Sequence, residues 1–389
     1  MSVARGDILE LAVERLVAGG DGLARREGKA IFVAGVLPGE RVHVRLLESR
    51  KDFDRAALVE VLEPSADRVP PACALAGVCG ACDWLHASYP AQLALKQGIV
   101  RETFRRTGRI EREAIPIEGG AALGYRNRVQ LHRHPSSRLG YMAGATNRVV
   151  PADTCPIAVA PINALLADPS PVASSGLDRF TVFSDAGWIA CEGRDDDRQL
   201  SVSVAGRSVR FSVGCFFQAN LAMLDQVSRF LAEGIETDRA RGRPATGRAA
   251  DLYCGVGVFA AVLAGRFDRV TCVESNTLSL GFARANVPPG SLETFPTTVE
   301  QWIQSGAARD GFDAVVVDPP RAGLSREVIQ WLTEARPGLL VYVSCNPVTL
   351  ARDVGHLARG GYALDDLRLF DFYPQTSHLE AVAVLTPTG

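Results

Sequence analysis

Apolar and polar positions divide the chain into three stretches. Over residues 1–65 the apolar residues fall in short β-rich runs such as IFVAGVLPGERVHVRLL and AALVEVLEP, broken by a Pro38–Gly39 turn signal. Strands this short, in a segment this long, suit a small all-β barrel of the OB type. From residue 66 the character changes. Pro70–Pro71 opens a loop with three cysteines, and the spacing after it predicts a helix over about 88–112. Short strand-like runs follow over 118–215: YRNRVQLHRH, RLGYMAG, RFTVFSD, QLSVSVAG and SVRFSVG. Beyond a Gly/Pro/Arg-rich loop predicted at 236–248, strands alternate with helices, the mark of an open parallel α/β sheet. The expected fold class is therefore α/β. An N-terminal barrel (1–65) and a small β-rich central domain (66–215) precede a Rossmann-like catalytic domain (216–389), on which helix 88–112 is expected to pack.

Composition narrows the class. Of 389 residues, 47% are apolar and 22% charged, which suits a soluble globular protein of more than one domain. No apolar run approaches the ~20 residues that span a bilayer. The opening MSVARGDILELAVERL lacks the continuous apolar stretch of a secretory signal, so a cytoplasmic, membrane-free, monomeric protein is expected. The net charge of −2 supplies no global field for nucleic acid, so any RNA contact needs local patches. Arg101, Arg105, Arg106, Arg109 and Arg112 on the predicted helix are one candidate patch, and Arg126 and Arg128 another; a solvated surface explains them equally well. Nine cysteines is an odd number for a disulfide framework in such a protein, and points instead to metal or catalytic roles.

The α/β half carries the chemistry. AADLYCGVGVFAAVLAG reads as strand, glycine turn and helix, with Gly255 and Gly257 allowing close approach of the backbone to a ligand. The next strand ends at Glu274, 19 residues after Gly255, where a carboxylate can accept hydrogen bonds from ribose hydroxyls. An adenosine-containing cofactor follows. Ala260 replaces a third glycine, and no dehydrogenase signature appears downstream. An apolar strand instead delivers Asp318-Pro319-Pro320, a motif similar to that of base-modifying methyltransferases. Enzymes acting on amino nitrogens usually place an aromatic residue next; Arg321 stands here, which disfavours nitrogen as the acceptor.

Carbon methylation needs another device. Carbon 5 of uracil becomes nucleophilic enough to attack a methyl sulfonium once a thiolate has added to carbon 6. LLVYVSCNPVTLARD delivers Cys345 to the same sheet edge, and the helix expected after Asn346–Pro347 favours a thiolate there. The carbon 5 proton must then leave to a base. Glu380 opens a final strand, and if that strand is antiparallel its start lies beside Cys345.

Taken together, FFQAN (216–220), DLYCGVGVF (251–259), VE (273–274), DPPRAGL (318–324), SCNP (344–347) and HLEAV (378–382) resemble the RNA uracil-5-methyltransferases that carry an iron–sulfur cluster. The resemblance covers essentially the whole chain, including an N-terminal segment similar to a TRAM domain. It implies Cys345 as nucleophile, Glu380 as base, and Gln218, Tyr253, Glu274 and Asp318 as S-adenosylmethionine-binding residues. Val258 and Thr298 depart from the family pattern, at positions where relatives often carry Asn and an acidic residue.

Cys73, Cys79 and Cys82 have the spacing C-x5-C-x2-C, and Cys155 follows with 72 residues between it and Cys82. Four thiolates suit zinc or iron–sulfur equally by spacing alone. The family resemblance implies a [4Fe–4S] cluster in a structural and RNA-positioning role. The spacing is not C-x3-C-x2-C, so radical chemistry is not implied. Cys191, Cys215, Cys254 and Cys272 are read as packing residues. The expected substrate is a uridine of 23S rRNA, because many tRNA-specific bacterial relatives lack barrel and cluster; the T-loop uridine of tRNA is the alternative. A non-catalytic RNA-binding protein would not need both Cys345 and Glu380, and an electron-transfer protein would not need the cofactor pocket.

Overall fold

The structure is a computed structural model. It describes residues 5–144, 146–185, 187–240, 247–309 and 311–388. Strands β1 (Ile8–Leu16), β2 (Gly22–Arg26), β3 (Lys29–Val33), β4 (Arg41–Ser49) and β5 (Phe53–Glu63) close into a barrel in the order β1-β2-β3-β5-β4. Strand β1 alternates: Leu9, Leu11 and Val13 point into the barrel while their neighbours face out. Closure comes from antiparallel pairing of β1 with β4, which leaves no open edge. The buried carboxylate of Glu40 accepts hydrogen bonds from Leu37 N (2.8 Å), Ser65 N (3.2 Å) and Arg68 Nη2 (2.8 Å). It ties the barrel to the segment that leaves it.

Helix α1 (Tyr89–Thr103) follows, continuing into a π-helical turn at Phe104–Gly108, and then the short strand β6 (Ile117–Glu118). The central sheet is antiparallel. It contains β7 (Arg128–Arg133), β8 (Leu139–Met142), β9 (Val149–Pro151), β10 (Arg179–Asp185) and β11 (Trp188–Cys191), in the order β11-β10-β7-β8-β9. Helix α2 (Ala160–Ala167) buries Ile162, Leu165 and Leu166 in the core shared with this sheet. A hairpin, β12 (Leu200–Val204) and β13 (Arg207–Phe211), leads to α3 (Leu221–Ala240). The loop expected at 236–248 is thus helical as far as Ala240, and 241–246 lie outside the described residues.

The C-terminal half alternates as expected: β14 (Arg248–Leu252), α4 (Val258–Leu263), β15 (Arg269–Val273), α5 (Thr277–Asn286), β16 (Leu292–Phe295), α6 (Val299–Gln304), β17 (Ala314–Val317), α7 (Arg326–Ala335), β18 (Leu339–Ser344), α8 (Pro347–Arg359), β19 (Tyr362–Phe370) and β20 (Glu380–Pro387). The sheet order is β16-β15-β14-β17-β18-β20-β19-β6. Strands β14 to β18 pair in parallel, whereas β20 runs against both of its neighbours. Strands β17 and β18 are buried at every position, because helices cover both faces of the sheet.

Two pieces of the upstream chain belong to this layer. Strand β6 extends the sheet beside β19. Val100 and Phe104 of the α1 region share a core with Leu350, Ala351 and Val354 of α8. At that contact Gly108 meets the backbone: a Cβ there would lie 2.8 Å from the carbonyl oxygen of Ala351. The hairpin β12–β13 likewise packs into the core of the C-terminal half, through Val202, Val209 and Phe211. No helix among the described residues is long and apolar enough to cross a membrane.

Candidate active site

Strand reversal builds the site. Because β20 is antiparallel to β18, it begins at the edge where β18 ends. The register pairs Ser344 with Ala381, so the next positions outward are Cys345 and Glu380. Cys345 is half-buried, and Glu380 is 3% exposed. Beyond Cys345 the chain turns into α8, with Pro347 in its first turn and the Asn346 side chain accepting from Val348 N at 3.0 Å. Asn346 Nδ2 also donates to the Arg321 carbonyl (2.9 Å), as does Thr349 Oγ1 (3.3 Å). The loop after β17, carrying Asp318 and Arg321, is thereby laced to the turn that presents the cysteine.

These groups feel one another. Burial first, and then the Glu380 carboxyl, push the Cys345 thiol up, while the Arg321 guanidinium pulls it back down. The start of α8 lies directly after Cys345, so the helix end and Arg321 favour the anion while burial and Glu380 oppose it. Burial, followed by the charge of Asp318, raises Glu380 well above the ordinary carboxyl range, and Arg321 opposes it. Burial pushes Asp318 up to about 7. A thiol, two carboxyls and the guanidinium of the exposed Arg321 thus lie within electrostatic reach of one another, the setting in which proton transfer among neighbours is easy to shift.

The expected cofactor edge adjoins this pocket. Tyr253 (φ 64°), Gly255 (φ 52°) and Gly257 (φ 80°) all take left-handed backbone conformations in the turn from β14 to α4. A Cβ on Gly257 would come within 2.9 Å of the Ala283 backbone, so only glycine fits. A Cβ on Gly255 would meet nothing within 4 Å, so that side of the turn is an open cradle. Glu274 closes the cradle: its carboxylate accepts from Gly255 N (3.1 Å) and Asn276 N (2.7 Å), with acceptor capacity left for a ligand. Asp251 is fully buried; one oxygen accepts from Ala260 N at 2.7 Å and the other has no partner. Gln218 reaches the pocket from the segment before α3, where its Oε1 lies 3.5 Å from the Tyr373 hydroxyl. Donors, acceptors and open space fit an adenosine-bearing ligand. Val258 is half-buried in the first turn of α4, and Thr298 caps α6 by accepting from Gln301 N (3.2 Å).

Several participants escape sequence reasoning. Tyr373 and His378 stand with their rings 6.2 Å apart on the connection into β20. The Tyr373 hydroxyl is raised first by burial and then by Glu380. Arg321 was legible only as a missing aromatic. Phe216, two residues before Gln218, is 66% exposed, with the Arg128 guanidinium 5.6 Å from its ring centre.

The four expected metal ligands fall in one neighbourhood. Cys79 and Cys82 pack against the core containing Cys155, and Cys79 bridges to Ala143, just past the end of β8. Burial pushes Cys82 up to about 12, with Cys155, Cys79 and Cys73 adding to it. No group of three or more His, Cys, Asp or Glu side chains that could hold a metal ion occurs among the described residues. Cys191, Cys215, Cys254 and Cys272 are buried packing residues. The arginine patch is partly spent: Arg15, Arg105 and Arg106 converge on Glu102, and Arg112 donates to the Leu364 carbonyl. Arg101 and Arg109 remain exposed.

Comparison with known proteins places this geometry. Residues 308–387 match the tRNA (uracil-5-)-methyltransferase family model, 209–336 the methyltransferase small domain and 3–59 the TRAM domain. The 23S rRNA (uracil(1939)-C(5))-methyltransferase RlmD of Nitrosococcus oceani is 31% identical, over 97% of this chain and 96% of that protein. The chain belongs to the RNA uracil-5-methyltransferase family. An uncharacterized RNA methyltransferase of Thermosynechococcus vestitus is 30% identical to this methyltransferase over 98% of each chain. The solved Pyrococcus abyssi tRNA (uracil-54, C5)-methyltransferase, in complex with S-adenosyl-L-homocysteine, shares its fold: the TM-score is 0.71 at 23% identity, covering 97% of this chain and 99% of that one.

Proposed function

We propose that this methyltransferase transfers a methyl group from S-adenosylmethionine to carbon 5 of a uridine in 23S rRNA. The observation that carries the reading is the strand register that puts Cys345 level with Glu380, at the edge that also holds the glycine turn. Full-length similarity to RlmD enzymes supports ribosomal RNA. The T-loop uridine of tRNA is the second reading, favoured by the name of the family model matching 308–387.

The target base must leave its stack to reach a half-buried thiol, which costs a few kcal/mol. Cys345 gives its proton to water, with Arg321 beside it steadying the anion, and its sulfur bonds to carbon 6 of the ring. Electron density moves to carbon 5. Gln218, Tyr253, Glu274 and Asp318 would hold S-adenosylmethionine, whose methyl group is taken by carbon 5 as the methyl–sulfonium bond breaks, leaving S-adenosylhomocysteine. Glu380, which must first release its own proton to water, then takes the proton from carbon 5 as a carboxylate, the double bond re-forms, and the Cys345 sulfur leaves as a thiolate. Cys73, Cys79, Cys82 and Cys155 are read as the thiolates of a [4Fe–4S] cluster. The cluster would staple the loop 73–82 to the central sheet, and no catalytic step passes through it.

Mapping 5-methyluridine in total RNA from cells with and without the protein tests the assignment. Loss of one site in 23S rRNA is expected; loss at a tRNA T-loop selects the second reading, and an unchanged map overturns both.

A further inference from the structure

Glu380 is reached from β19 through the connection 371–379, and most of the fastenings of that connection come from upstream in the chain. Lys96 Nζ donates to Asp371 Oδ1 at 2.6 Å and to the Tyr373 carbonyl at 3.2 Å. Gln92 grips Gln375 twice, accepting from its backbone N (2.8 Å) and donating to its Oε1 (3.1 Å). Trp84 N donates to the Gln375 carbonyl (3.0 Å), and Ser377 N donates to Asp83 Oδ1 (2.9 Å). Gln375 itself holds a left-handed backbone conformation, φ 69°. The base therefore stands at the end of a segment fastened by α1 and by the residues just after Cys82, with Tyr125 donating to the Pro374 carbonyl (2.9 Å) and Asn220 to the Phe372 carbonyl (3.2 Å).

Lys96 is the unusual member of this set. Its side chain and that of Asp371 have no exposed surface, and its ammonium lies 5.8 Å from the centre of the Trp84 ring. Lysine is among the residues least often fully buried. A buried ion pair is also a weak device for stability, since apolar residues of similar volume often hold a fold as well or better. What the pair does provide is direction. One ammonium fixes both the carboxylate that opens the connection and the carbonyl of Tyr373, whose hydroxyl lies against Gln218 and whose charge environment includes Glu380 and Cys345.

We infer that Lys96 is a positioning residue for proton abstraction: by clamping Asp371 and the Tyr373 carbonyl, it sets the segment that carries Glu380 to Cys345. The inference rests on the reading of Glu380 as the base. A loose clamp leaves Cys345 able to add and the methyl able to transfer, but it delays removal of the carbon 5 proton. The covalent RNA–protein adduct then accumulates.

The test is the double variant Lys96→Met/Asp371→Asn, which removes both charges and so leaves no lone buried ion. The expected result is a melting temperature and RNA KM near wild type (KM within about threefold), kcat lowered at least about tenfold, and a raised steady-state fraction of denaturant-stable adduct. Should the double variant fail to fold, Lys96→Gln/Asp371→Asn, which replaces the ion pair by a neutral pair able to hydrogen-bond, should show the same signature more weakly. Glu380→Gln is the control. If it traps adduct while the folded Lys96/Asp371 double variant shows wild-type kcat and adduct level, the inference is overturned and the base assignment stands. Parallel loss of RNA binding and turnover without adduct would mark a merely structural role and also overturn it. If Glu380→Gln traps nothing, the base assignment falls, and the inference with it.

Discussion

Replacing Glu380 by Gln removes a proton acceptor and changes little else. The side chain is 3% exposed, and burial holds its carboxyl toward the neutral form, whose shape Gln copies. Stability should follow from the sign of that shift. Below about pH 4.3, the ordinary glutamate value, folded and unfolded chains both hold the proton. As pH rises past it, the unfolded chain releases a proton that the native state keeps, so wild type loses stability toward neutral pH and the variant does not. Glu380→Gln should therefore melt at or above the wild-type temperature at pH 8, with the gap narrowing toward pH 4.3. Catalysis should move the other way. A positioned base contributes roughly 10²–10⁴-fold, or about 3–5 kcal/mol of barrier. Against a typical turnover of ~10 s⁻¹, proton removal would take about ten seconds to about twenty minutes. An adduct with that lifetime survives a rapid denaturing quench and appears as a slow band on a gel, or as the summed mass of protein and methylated RNA. Turnover within threefold of wild type, or the absence of adduct at any time, would refute the assignment of Glu380.

Purified without oxygen, the protein should be brown and hold iron and acid-labile sulfide in equal amounts, with Cys155→Ser losing both; a colourless zinc protein contradicts the cluster. Phe216→Ala should weaken RNA binding by roughly 5–150-fold, the loss of about 1–3 kcal/mol for one base–aromatic stack, and unchanged affinity in a filter-binding assay would show that this exposed ring does not meet RNA. Tyr342→Phe should cost about 1–3 kcal/mol in urea unfolding, because it takes the 2.8 Å donor from buried Asp353, whose same oxygen accepts from Leu324 N at the other side of the active-site loop; an unchanged midpoint contradicts that.

Local pattern carried much of the fold. Turn signals and short β-rich runs announced the barrel, and continuous apolar runs such as Ala314–Val317 announced buried parallel strands. The proposed nucleophile and base could be singled out because each sits at the end of a strand, and one assumption about the direction of β20 brought them together. Long-range pairing stayed hidden. Ile117–Glu118 completes the catalytic sheet more than 250 positions before its partner Leu369–Phe370, and so short a strand carries no period of its own. Lys96 read as one more charge on an arginine-rich helix; its value comes from Asp371, which only the folded chain puts beside it. The same helix illustrates the opposite error, since Glu102 draws in arginines that looked available for phosphate. At Cys345 the helix start is visible in sequence, whereas the burial and the facing Glu380 carboxyl that push its thiol up are not.

The most direct test of the central claim is the identity of the methylated nucleoside made in vitro. Purified protein, S-adenosylmethionine and unmodified ribosomal RNA are incubated, the RNA is digested, and the nucleosides are resolved by mass and retention. The account predicts 5-methyluridine as the product with wild type and none with Cys345→Ala, although that variant still binds RNA. A methyl group on a nitrogen, or 5-methyluridine formed without the Cys345 sulfur, would contradict it.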